Sequence, residues 1–92
     1  MRIILEAVTL TDQGSAQIEA VVGRITEDSG TLVEMNIAFT SIDSIVPHAI
    51  SHEIRHVAIH GITLPGSFRA IIYNDLGRSV AGTINWTARG KI

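Results

Sequence analysis

Three copies of one turn signal constrain what this chain can fold into: TDQGS at 11–15, EDSGT at 27–31 and NDLGR at 74–78. Each contains Asp-x-Gly. An Asp side chain can accept backbone hydrogen bonds at the start of a turn, and Gly takes the left-handed position that closes it. That is hairpin-loop chemistry, so three antiparallel hairpins are the first expectation.

The flanking residues give the expected register. With EDSG as a four-residue loop, Ile18, Ala20 and Val22 share a face with Val33, Met35, Ile37 and Phe39. Counting across TDQG in the same way sets Ile3, Leu5 and Ala7 beside that face. The reading is a half-buried meander of about 2–10, 16–26 and 31–40. Around NDLGR a three-residue loop, Asp75-Leu76-Gly77, aligns Phe68, Ala70 and Ile72 with Ile84, Gly82 and Val80, and Trp86 extends their face. The resulting hairpin covers about 66–74 and 78–87. Its opposite face, with Arg69, Ile71, Tyr73, Ala81 and Thr83, is only half polar. Exposed apolar surface on a small domain marks an interface, so these five residues are the candidate contact surface.

The segment between these hairpins holds all four histidines, His48, His52, His56 and His60, in PHAISHEIRHVAIHG at 47–61. On a helical wheel Val46, Ile50, Ile54 and Val57 form a stripe opposite His48, His52 and His56, with Ser44 placed to cap and Gly61 to terminate. As a strand the same segment segregates poorly, because Ile50, Ile54 and Ala58 fall on the face of the histidines. The expectation is therefore a short helix near 45–60, although its β-branched residues and the Val46-Pro47 pair favour a strand.

HEIRH also spells the H-E-x-x-H of helical zinc proteases, in which two His one turn apart hold the metal and the Glu polarises water. His52, Glu53 and His56 match by spacing. A third ligand is lacking: His60 lies eight residues from His52, about 12 Å along a helix, whereas Zn–N bonds are about 2.0–2.1 Å. The expectation is no catalytic residue, no metal and no cofactor, the histidines forming a solvated polar face.

With 92 residues, 46% of them hydrophobic, the chain is expected to form a single compact domain over 1–92. Aromatics are few, so Ile, Val, Leu and Ala must fill the core. Cysteine is absent, which removes disulfides and thiolate ligands. A net charge of −2, with the basic residues scattered, argues against nucleic acid as partner. The opening MRIILEAVTL is too short an apolar run for a signal peptide, and no stretch reaches the roughly 18 apolar residues of a membrane span, so a cytoplasmic protein without a membrane partner is expected.

Together these readings give a mainly β chain: a small antiparallel sandwich or partly open barrel built from hairpins, with one short helix. The expected function is a non-enzymatic structural or assembly module that contacts itself or other proteins. A subunit of an ordered oligomer or of a phage virion is one example. The alternatives are a metal-binding module or small metallohydrolase using HEIRH, and a small protein-binding inhibitor.

Overall fold

The computed structural model describes residues 8–92. It is a sandwich of two antiparallel sheets made of seven strands, β1 Thr9–Ile18, β2 Thr31–Glu34, β3 Ser41–Ile50, β4 Arg55–Thr63, β5 Ser67–Asn74, β6 Ser79–Val80 and β7 Gly82–Lys91. Sheet A has the order β1-β7-β3; in sheet B, β5 pairs with β4 on one side and with β2 and β6 on the other. The alternation of the strands explains the layering. Even residues of β5 (Phe68, Ala70, Ile72) and of β7 (Ile84, Trp86, Ala88) point inward and join Ile18, Val33 and Phe39 in one buried cluster. Burying each large side chain of this cluster contributes about 1.5–3 kcal/mol.

The third turn signal behaves as its sequence requires. Asn74 N–H donates to Arg78 O at 2.9 Å and Gly77 N–H to Asn74 O at 3.0 Å, closing the three-residue loop; Gly77 has φ +76°. Ile72 then pairs with Val80, in the register expected. Pairing ends there, because at Ala81 the chain crosses to sheet A, where Gly82 opens β7 opposite Ile18. Around Gly77 a Cβ would meet nothing within 4 Å, so replacement acts through the backbone alone. Gly77→Ala is expected to cost about 1 kcal/mol from left-handed strain. A melting temperature unchanged from the parent would contradict that assignment.

The second signal also turns, with Ser29 N–H donating to Thr26 O and Gly30 at φ +110°. It does not join two strands, however. Residues 19–26 are irregular, Val22 is 96% exposed, and β2 pairs with β5 instead of with them. The expected meander is thereby replaced: its second strand stops at Ile18 and its third at Glu34. Most of its first strand, residues 2–7, lies outside the described residues.

At the first signal no turn forms. Asp12, Gln13 and Gly14 run straight through β1 in unbroken register with β7. Gly14 serves another purpose, since a Cβ there would sit 2.8 Å from Trp86 Cζ2. The indole lies over the bare glycine and meets Phe68 edge-on, with ring centroids 5.6 Å apart and planes at 78°.

The helix near 45–60 is absent as well. That stretch forms most of β3, a bend at 51–54 and the first half of β4. Its β-branched residues decide the outcome. Ile45, Val57 and Ile59 pack against the core at period 2, which turns Val46, Ile50 and Ile54 outward, with Ile50 58% and Ile54 66% exposed.

Candidate functional site

Once the helix is gone, the H-E-x-x-H reading loses its geometry. His52 sits in the bend, whereas His56 stands on the outer face of sheet B opposite Tyr73. Glu53 is held by Arg55 at 2.7 Å, and its N–H donates to Ser51 Oγ at 3.0 Å, so it braces the bend. His48 projects from the outer face of sheet A opposite Asn85, and His60 is the extra residue of a bulge between Ile59 and Gly61. Among the described residues no group of three or more His, Asp or Glu is gathered so as to hold a metal ion.

The five candidate contact residues are spread over different surroundings. Ala81 is exposed, and Arg69, Tyr73 and Thr83 are half-buried. Ile71 departs from expectation: it does point away from Phe68, Ala70 and Ile72, yet it is fully buried. Gly30 lies against it, so close that a Cβ on Gly30 would be 3.2 Å from Ile71 Cγ1. The Arg69 guanidinium donates to Gly30 O at 3.0 Å, and Val21 N–H donates to Ser79 Oγ at 2.8 Å beside Tyr73. The irregular chain before β2 is thus tied down along this flank, and Ile71 is no surface residue.

One ionisable group is buried without having been expected to be. The Asp12 carboxylate points inward from β1 and accepts four hydrogen bonds: from Asn36 N–H at 2.7 Å, Ile37 N–H at 2.9 Å, Asn36 Nδ2 at 3.0 Å and Gln13 N–H at 2.9 Å. Burial alone would push its pKa up. The Asn36 side chain and the three backbone donors outweigh that and hold it below the ordinary 3.8. All the acceptor capacity of this carboxylate is taken up by the fold, so Asp12 is a staple between β1 and the loop after β2.

No family model, curated protein or solved structure matches this chain.

Along a strand, successive residues turn their N–H and C=O to opposite sides, so one bond fixes the whole row. Ile92 N–H donates to Val8 O at 3.2 Å, which assigns the even residues of β1 to β7 and turns the odd ones to the opposite edge, where no described strand pairs. In the middle of that edge Gln13 is already occupied: its N–H bonds Asp12 Oδ1, and its O accepts from Asn36 Nδ2 at 3.2 Å. On the far side of sheet A, Thr40 N–H donates to Lys91 O at 2.7 Å, which leaves Ile45, Pro47 and Ala49 facing outward from β3. Pro47 has no N–H to offer, and a bulge at Asp43 breaks the register before it. Both edges of sheet A are thus closed to a further strand.

Sheet B differs. Because Asn74 bonds Arg78, the odd residues of β5 face β4, and their partners His56 and Ala58 are bonded inward. Arg55, Val57 and Ile59 therefore turn N–H and C=O to the outside of β4, in a row without Pro or Lys. The bulge at His60 ends that row. On the segments before and after this row the side chains of Ile50, Ile54, Ile62 and Leu64 are exposed.

Proposed function

We propose that this chain is a non-enzymatic structural module, working as a subunit of an ordered oligomer or particle; a phage virion component is one such setting. One observation carries the reading: β3, β4 and the segments that follow them carry exposed Val46, Ile50, Ile54, Ile62 and Leu64, and no described strand pairs with the outer row of β4. Exposed apolar side chains next to unpaired backbone donors and acceptors are what a protein contact covers. The buried acid, by contrast, is consumed by the fold, and HEIRH lacks the helix on which its zinc chemistry depends.

Lack of cysteine suits a reducing compartment. No helix among the described residues is long and apolar enough to cross a membrane. A cytoplasmic protein, or one packaged into a particle there, fits both.

Light scattering at several concentrations, with and without zinc and a chelator, tests the proposal alongside sizing of the protein in its native extract. A defined species larger than a monomer, indifferent to the chelator, is expected. A monomer in both settings overturns the reading, and a size that follows zinc returns the metal-binding alternative.

A further inference from the structure

The free row of β4 specifies its own partner. We propose that two copies of this chain join there, the segment Arg55–Ile59 of one pairing antiparallel with the same segment of the other about a two-fold axis through Val57. This rests on the assembly reading above and supplies its first contact.

Three features of the molecule favour a second copy as occupant. Among the described residues, the N–H and C=O groups of Arg55, Val57 and Ile59 have no backbone partner, and these three are symmetric about Val57. Under the two-fold, Val57 meets Val57 and Arg55 meets Ile59 of the second copy, so each aligned pair exchanges both its hydrogen bonds. The side chains also fit that register. His56 comes to lie beside Ala58, a long side chain next to a short one, and the two Arg55 are kept four residues apart, so no like charges stand directly opposite. Finally, the bulge at His60 stops the pairing one residue past Ile59, which excludes longer slipped registers, and it sets exposed Ile54 opposite His60 of the second copy. An isologous contact of this kind closes on itself, giving a defined dimer with sheet B continued across it.

Hydrogen exchange followed by NMR on the purified chain, from micromolar to millimolar concentration, reads the contact residue by residue. In a monomer His56 and Ala58 are protected by β5, while Arg55, Val57 and Ile59 exchange freely. The expected result is that the latter three slow by about tenfold or more as concentration rises, together with a doubling of mass. Val57→Pro removes an N–H that makes no bond to β5, so the fold is expected to survive while the dimer is lost. Should that variant fail to fold, Arg55→Pro at the first position of the strand is the milder probe, expected to weaken association by about tenfold or more. A dimer in which Val57 and Ile59 still exchange freely overturns the edge contact and leaves the assembly reading standing. A monomer throughout the range overturns the edge contact as well, and the native extract then decides the broader proposal.

Discussion

Ile71→Lys is expected to unfold the protein. Ile71 has no exposed surface, and Gly30 is packed against it. An ammonium there would lose its water with no carboxylate described beside it, and the isoleucine's burial would be forfeited too. Unpaired buried charges are among the few changes that cost about 4 kcal/mol or more, against a total stability of about 5–15 kcal/mol for a domain of this kind. Circular dichroism and urea titration of the variant are the measurements. Native-like melting would return Ile71 to the surface and revive its place in a contact face.

Asp12→Ala is expected to cost about 2 kcal/mol, because it takes the acceptor from the part-buried Asn36 and Ile37 N–H groups, whose loss costs about 1–3 kcal/mol where water does not replace it. Asp12→Asn, which keeps one oxygen and the volume, is expected to lose less. The pair also separates charge from shape. A carboxyl whose folded pKa lies below its unfolded value stabilises fully above the unfolded value, near 3.8, and loses that contribution as pH falls through the folded one. The stability gap between parent and Asp12→Asn should therefore be constant at neutral pH and shrink below about pH 4. A gap that stays constant down to pH 2 would show that the charge contributes nothing.

The layered β architecture was legible because the inward residues keep period 2: Phe68, Ala70 and Ile72, then Ile84, Trp86 and Ala88. Turn chemistry was a less safe guide. Asp75-Leu76-Gly77 turns because Gly77 alone can take its left-handed φ, but Asp12-Gln13-Gly14 carries the same letters for tertiary reasons. There the Asp binds a loop 24 residues away and the Gly makes room for an indole, neither of which is visible locally. The stretch at 45–60 is a strand pair although its polarity pattern suits a helix. A helix separated its apolar and polar residues better than a strand did, yet the strand leaves Ile50 and Ile54 exposed, and that imperfect separation is the surface on which the assembly proposal rests. The free row of β4 was hidden for a similar reason. Backbone orientation follows from which strands pair, and neither the pairing of β4 with β5 nor the place of the bulge at His60 is written in the local pattern of 55–63.

The place of β7 has a consequence for how the protein is made. It is the middle strand of sheet A, with β1 on one side and β3 on the other. Until Gly82–Lys91 has been synthesised, neither flanking strand has its partner among the described strands, and Ile18 and Phe39 lack much of the surface they will pack on. Sheet B can begin to form earlier, from the β4–β5 hairpin, whereas Thr9 must wait for a partner more than 80 residues further along, at Lys91. Pairings that span so much of the chain form slowly. β1 and β3 therefore wait unpaired with β7 on the nascent chain until that strand follows, and the blocks on their outer edges do nothing for the sides β7 has yet to occupy. Loss of Gly82–Lys91 would remove the strand on which sheet A, as described, is assembled.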